Sequence, residues 1–266
     1  MVTVEEIQIQ RVVADGDLDG LLSAAILKRV WNDAEVRFSH PAEIRRGDVD
    51  EFIHEKTAVV DLPFHPNCGL HIDHHLTNKP TELQLLEADE RGCKIIWDSA
   101  LSAARVCFDT FREIVDLTDI EQWMDMVDKL DGGKISREEF LSNHPIVWIG
   151  RIMDASEPEL CALLLTEITG GASPDALMHV EEIHEKVRMA KDEFSRLQSM
   201  VDGCSEIVDR MAIVRLDGKG VRTNGYLITA HFGELCDACI IVHGNAAPSE
   251  HQWPLSASFY SNSFLH

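Results

Sequence analysis

Three apolar, β-type runs in this chain each end on an acidic residue, and that recurrence constrains the fold more than any other feature. Val12-Val13-Ala14 runs into Asp15-Gly16-Asp17-Leu18-Asp19-Gly20, Val59-Val60 into Asp61, and His71-Ile72 into Asp73-His74-His75. A further acidic turn, Leu130-Asp131-Gly132-Gly133, lies downstream. In open parallel sheets, ligands bind outside the carboxyl ends of the strands. Carboxylates and imidazoles gathered at such ends suit a pair of divalent cations of the Mn²⁺ or Mg²⁺ kind.

The local patterning fits that frame. Residues 7–14 alternate and are β-branched, which reads as a strand, and 34–38, 57–60 and 69–72 read likewise. Helical spacing runs through 21–30, 99–115, 120–129 and 158–169. Strands alternating with helices predict an α/β domain, doubly wound around a mainly parallel sheet. Ser173-Pro174 then offers an N-cap with proline in the first turn. Leu177, Val180, Ile183, Val187, Ala190, Phe194 and Leu197 form one face of a long amphipathic helix that ends at Val201-Asp202-Gly203. From about Cys204 the chain is β-rich, with strands expected over 211–216, 226–230, 238–243 and 255–260. The expected organisation is a catalytic α/β domain over 1–175, a connector helix over 176–203 and a smaller, partial substrate-binding domain over 204–266.

Charge narrows the partners. The 24 basic and 46 acidic residues leave a net charge of −22, a field that repels long duplex nucleic acid and anionic membranes. A polyanion enters only where cations invert that sign locally. No apolar run reaches the roughly 18 residues of a membrane span, and the acidic start Met-Val-Thr-Val-Glu-Glu has no signal-peptide core. Seven irregularly spaced cysteines argue against a disulfide framework and for the cytoplasm.

Several motifs imitate other chemistry. Asp15 to Gly20 resembles the start of an EF-hand loop, but a strand precedes it and position twelve is Ile26, which has no oxygen to offer. Asp128 to Phe140 carries a convincing second half of such a loop, yet its ligand positions three and five are Leu130 and Gly132. Cys236-Asp237-Ala238-Cys239 is a lone CxxC with no second pair, and reads as two buried thiols beside a strand.

Asp15-Gly16-Asp17-Leu18-Asp19-Gly20 with Ser23-Ala24, then Asp61, then Asp73-His74-His75, then Asp131-Gly132-Gly133 closely resemble the four ordered motifs of the DHH phosphoesterase family. That family includes RecJ-like single-strand exonucleases, oligoribonucleases, cyclic-dinucleotide phosphodiesterases, exopolyphosphatases and family II inorganic pyrophosphatases. The resemblance spans about residues 5 to 135. It implies two divalent cations, Mn²⁺ preferred, with Mg²⁺ or Co²⁺ as substitutes. Asp17 and Asp61, with Asp15, would hold one cation; Asp19, Asp61, His74 and Asp131 would hold the other, Asp61 bridging. His75 would face the substrate phosphoryl group, and Asp73 would orient the first imidazole as carboxylates behind metal-bound histidines do. Some branches carry histidine four residues before the first metal aspartate; here that residue is Val13, and Asp15 is the substitute. Asp128 is the reserve for the Asp131 role.

The family's second domain has a glycine-rich segment ending in histidine, and none is found here. The implied activity is two-metal hydrolysis of phosphodiester or phosphomonoester bonds in short oligonucleotides or small nucleotides. Pyrophosphate or polyphosphate hydrolysis, or a non-catalytic metal-binding module, are the alternatives, and a homodimer is compatible with the family. Removing the bridge tests the assignment: Asp61→Ala is expected to abolish divalent-cation-dependent turnover while circular dichroism still reports a folded protein. Undiminished turnover would exclude the implied site.

Overall fold

The structure, a computed structural model, describes residues 7–221, 223–244 and 255–265. Two compact units emerge, Met1–Gly132 with Pro145–Lys186, and Gly133–His144 with Val187–His266. The first holds β1 (Arg11–Asp15), α1 (Leu18–Val30), β2 (Glu35–Ser39), α2 (Pro41–Arg46), β3 (Thr57–Val60), β4 (Leu70–Asp73), α3 (Glu82–Glu90), β5 (Lys94–Trp97), α4 (Ala103–Phe111) and α5 (Glu121–Asp131). After α6 (Arg137–Leu141), which belongs to the second unit, the first resumes with α7 (Pro145–Ile152), α8 (Pro158–Thr169) and α9 (Pro174–Leu177).

All five strands of the first unit are parallel, in the order β2-β1-β3-β4-β5. The order reverses between β1 and β3, which makes the carboxyl ends of those two strands the switch point of a doubly wound sheet. Both faces are covered, so the central strands are apolar throughout rather than alternating. Val13 and Val59 pack on Ile44, Val49 and Ile53. Val12, Ala14, Ala58 and Val60 are equally buried, and they point to the opposite face by strand alternation.

The helix α10 (Glu181–Val201) runs through the boundary between the units. The second unit adds β6 (Ser205–Val208), β7 (Met211–Arg215), α11 (Gly225–Phe232), β8 (Ala238–Gly244) and β9 (Leu255–Ser261). Its sheet is mixed, with β7 and β8 parallel and the outer pairs antiparallel.

Sequence reading and structure differ at identifiable places. The run 226–230 is helical rather than extended. It lies in the crossover that two neighbouring parallel strands require, and a short apolar run cannot announce its own period. Strand β5 was not anticipated. The helix expected from Ser173 is interrupted: α9 ends after one turn, and i→i−3 bonds from His179 and Val180 tighten the chain before α10 begins. Leu177, Ile183 and Val187 are buried across that break, which is why their spacing looked continuous. Residues 133–144 cluster with the second unit, not with the domain drawn over 1–175.

The imitation motifs have structural explanations. Ser136 caps α6, exchanging hydrogen bonds with Glu139 in a capping box, the arrangement that mimicked an EF-hand exit. Cys236 and Cys239 are buried free thiols. Asn262 is fully buried and donates to the Gly233 and Cys236 carbonyls.

The start of α11 lies directly against β9. A Cβ on Gly225 would fall 2.1 Å from Cγ of Tyr260. Gly225→Ala is therefore expected to destabilise the protein by about 2–3 kcal/mol, read as a lowered urea midpoint with Tyr260 becoming more exposed to quenchers. An unchanged midpoint would contradict this packing.

Candidate metal centre

The carboxyl ends of β1, β3 and β4 bring the predicted side chains together, and each position has a local cause. Asp15 ends β1, and its Oδ1 accepts from the Gly16 amide at 2.6 Å. Asp17 is the N-cap of α1, accepting from the Gly20 amide at 3.0 Å, the usual service of an aspartate at a helix start. Gly20 is required there, because a Cβ would lie 2.2 Å from the Asp15 carbonyl oxygen. Asp19 is buried on the first turn of α1, and its two oxygens accept from the Ala103 and Ala104 amides at 2.7 Å each. The N-terminus of α4 thus cradles it.

Asp61 leaves β3 with a left-handed backbone, φ 59°, an unusual conformation that aspartate tolerates better than most residues. It is 1% exposed, and neither carboxylate oxygen has a hydrogen-bond donor. Asp73 is fully buried and well supplied: it accepts from the His74 and His75 amides, from His75 Nδ1 at 3.0 Å and from Asn78 Nδ2 at 2.7 Å. The imidazole that Asp73 orients is therefore His75, not the first ring as the motif suggested. His74 is held instead by the Ala100 carbonyl, 3.2 Å from Nδ1. A carbonyl only accepts, so Nδ1 carries the proton and Nε2 presents a lone pair.

That lone pair faces acids. Nε2 of His74 lies 3.0 Å from Asp131 Oδ2, 3.7 Å from Asp19 and 3.8 Å from Asp61. Neither Nε2 nor Asp131 Oδ2 has a properly aligned hydrogen bond. Three groups present ligand atoms within 4.8 Å of one another: Asp15, Asp17 and Asp61; Asp19, His74 and Asp131; and Asp61, Asp73, His74 and His75. Asp128, the reserve for Asp131, is committed elsewhere. It accepts from Ser102 Oγ and pairs with Arg105 at 2.7 Å, which ties α5 to the start of α4.

The electrostatics follow from crowding. Burial raises the pKa values of Asp19 and Asp61 well above the ordinary range, and neighbouring aspartate charges add to it. Burial and Asp17 push Asp15 up to about 6. Asp17 is raised by desolvation and by Asp131, against the Gly20 amide. Asp73 goes the other way: burial would raise it, but the His75 and Asn78 donors hold it below the usual range. His75 is raised chiefly by its hydrogen bond to Asp73. For His74, burial opposes charging but the Asp131 interaction outweighs it and the pKa rises. Orphaned oxygens, a directed imidazole lone pair and mutually repelling carboxylates fit cations as their common partner.

Residues that the motifs did not indicate also sit here. His40, directly after β2, places Nδ1 3.5 Å from Asp15 Oδ1. The strand-end rule that found the aspartates would have found it too, had it been extended to β2. The Ala100 carbonyl and the α4 amides carried no side-chain signal.

Fold and site together define an α/β protein with a carboxylate–imidazole centre at the switch point of a parallel sheet. No family model matches the chain, and no curated protein does. Among solved structures, a pGpG-specific phosphodiesterase from Vibrio cholerae, PggH, superposes with a TM-score of 0.75 at 23% identity, covering 96% of this chain and 83% of that one. The DHH domain of a member of a ribosomal-protein family superposes with a TM-score of 0.54 at 13% identity, covering 91% of this chain and 72% of that one. The chain has the fold of DHH proteins, and the four motifs lie together within it.

The raised carboxylates set a sign for pH dependence. They ionise near 3.8 when unfolded, whereas Asp15 is held at about 6 in the fold. The metal-free native state therefore binds more protons through that window, so its stability falls as pH rises through about 6. Metal-free protein is expected to melt at a lower temperature near pH 8 than near pH 5, with Mn²⁺ restoring about 2.7 kcal/mol at a hundredfold excess over its Kd. A melting temperature indifferent to chelation would remove cations from this site.

Proposed function

We propose that this chain is a divalent-cation-dependent phosphodiesterase acting on short 5′-phosphorylated oligonucleotides, dinucleotides above all, with Mn²⁺ preferred. The observation that carries the reading is Asp61: a buried carboxylate with neither oxygen hydrogen-bonded, with His75 Nδ1 3.4 Å and His74 Nε2 3.8 Å from Oδ1, and Asp15, Asp17, Asp19 and Asp131 close by. The mix of carboxylate oxygen and imidazole nitrogen favours Mn²⁺ over an all-oxygen Mg²⁺ preference. The pGpG specificity in the name of the Vibrio cholerae protein supports the choice of substrate class.

In this reading Asp15, Asp17 and Asp61 hold one cation, and Asp19, Asp61, His74 and Asp131 hold the other. Two such ions, when bound, would supply Lewis acidity towards a phosphoryl group and would lower the pKa of a water. His74 donates Nδ1–H to the Ala100 carbonyl, which would leave Nε2 as its ligand atom. His75 keeps its Nδ1 on Asp73, leaving Nε2 for the substrate on a side chain 41% exposed. Because Asp73 favours the imidazolium, His75 brings positive charge to a phosphoryl oxygen as negative charge develops there. Asp73 and Asn78 position that ring without touching substrate. Residues 204–266 are assigned to contacts with the remainder of the substrate.

The net charge of −22 turns long duplexes away. All seven cysteines are free, in keeping with a reducing compartment such as the cytoplasm. No helix among the described residues is long and apolar enough to cross a membrane.

The test is Mn²⁺-dependent hydrolysis of a 5′-phosphorylated dinucleotide beside pyrophosphate, with products separated by chromatography. Mononucleotides from the first substrate alone are expected. His75→Ala is expected to lower kcat by about 10²-fold while the Mn²⁺-induced rise in melting temperature persists. Phosphate from pyrophosphate alone would reverse the substrate assignment. Cation binding without turnover on either would leave a binding module.

A further inference from the structure

The site above is almost entirely acidic, yet the substrate it is assigned is an anion with more than one phosphate. A second phosphate in a protein of charge −22 needs a cation of its own. Some cations of the first unit are neutralised: Arg105 by Asp128, Arg29 by Asp119, Lys129 by Asp125. Lys79 stands in the turn directly after Asp73-His74-His75. It is exposed, and among the described residues no carboxylate pairs with it.

Its position is built rather than incidental. The turn after Asp73-His74-His75 is a short 3₁₀ helix over Leu76–Asn78, closed by the Lys79 amide on the Leu76 carbonyl. Asn78 anchors this turn to Asp73 at 2.7 Å. The Lys79 ammonium lies 4.5 Å from the centroid of the Trp97 ring. Trp97 ends β5 opposite Asp73 in the register, and its Nε1 donates to the His75 carbonyl at 3.0 Å. The cation thus stands on an aromatic ring that is itself hydrogen-bonded to the residue assigned to the scissile phosphoryl group.

We propose that Lys79, propped on Trp97, receives the terminal 5′-phosphate of a linear dinucleotide whose scissile phosphate lies against His75. The inference rests on the phosphodiesterase reading and deepens it, by naming what selects a 5′-phosphorylated end. A terminal monoester bears more negative charge than the internal diester, so a compact ammonium discriminates between phosphorylated and hydroxyl ends. The ring beneath it attracts the ammonium by a cation–π contact and limits the rotamers of a flexible side chain.

The experiment compares one dinucleotide with and without its 5′-phosphate, on the Mn²⁺-loaded wild type, Lys79→Gln and Lys79→Arg. The ratio of kcat/KM for the two ends is read, and both ligands are also titrated calorimetrically with Ca²⁺ as the cation, so that binding is followed separately from turnover. The wild type is expected to prefer the phosphorylated end. Lys79→Gln is expected to lose about tenfold of that preference, Lys79→Arg to keep most of it, and added salt to shrink it. Equal preference in the wild type and Lys79→Gln, in titration as in turnover, overturns the inference. A wild type that binds the phosphorylated end through Lys79 but hydrolyses neither dinucleotide leaves the inference standing and refutes the phosphodiesterase reading alone.

Discussion

A carboxylate removed from water without a hydrogen-bond donor is among the most costly groups a protein can bury. Asp61 is such a group, with both oxygens unpartnered at 1% exposure. Its backbone is also held at φ 59°, a conformation costing about 1–3 kcal/mol for a residue other than glycine. Without a cation such a group is driven towards its protonated form, which is the direction in which the Asp61 pKa moves. The neighbours share the problem. Asp15, Asp17, Asp19 and Asp131 repel Asp61, and the lone pair of His74 points at acids, not donors. Divalent cations resolve all these conflicts together, which is why the site is read as one centre rather than as six separate acidic and imidazole positions.

The fold supplies the counterweights that keep this cluster tolerable. In a parallel sheet every helix that follows a strand begins at the strand's carboxyl end, so helix N-termini converge where the aspartates sit. Asp17 caps α1, and Asp19 is cradled by the first amides of α4. The start of α4 is in turn tied to α5 through Ser102, Arg105 and Asp128. Asp131 lies three residues beyond Asp128, at the end of α5. The same ion pair therefore orders the amides that hold Asp19 and the helix that delivers Asp131. Asp128 belongs to the scaffold of the centre, and its chemistry is that of a buried ion pair rather than a ligand.

Much of this was legible in the residues, and the rest was hidden for physical reasons. Each aspartate announced itself by following an apolar β-type run, because a strand buried on both faces must be apolar throughout and can turn polar only where it ends. β3 was read at its true limits, and α8 likewise. The strand β5 was missed because Lys94-Ile95-Ile96-Trp97 is short and lies at the sheet edge, half-buried along its length. The helix α11 was taken for a strand because eight residues of mixed apolar character carry no decisive period. Backbone groups were invisible in principle. Nothing in the side chains of Ala100, Ala103 or Ala104 indicates that one carbonyl fixes the tautomer of His74, or that two amides hold Asp19. The partner of Asp73 was misjudged for a related reason. Adjacency in sequence does not say which of two neighbouring imidazoles turns back onto the carboxylate.

The charge of the whole chain then acquires a meaning that composition alone did not have. Asp15, Asp17, Asp19, Asp61 and Asp131 carry five negative charges when ionised, and two divalent cations would return four, so 5 − 4 leaves the loaded centre near −1. A centre close to neutral no longer repels a phosphodiester, while the remaining acidic surface still repels polyanions that cannot reach it. In the proposed reading, selectivity for short substrates follows from a nearly neutral loaded centre in a chain of net charge −22. His75, whose pKa its hydrogen bond to Asp73 raises, follows the end of β4, and Lys79, carried by Trp97, stands in the turn after it. A ligand with two phosphates one nucleotide apart meets cations at both positions. In that reading a long strand lays its further phosphates across a chain of net charge −22, whose field opposes them.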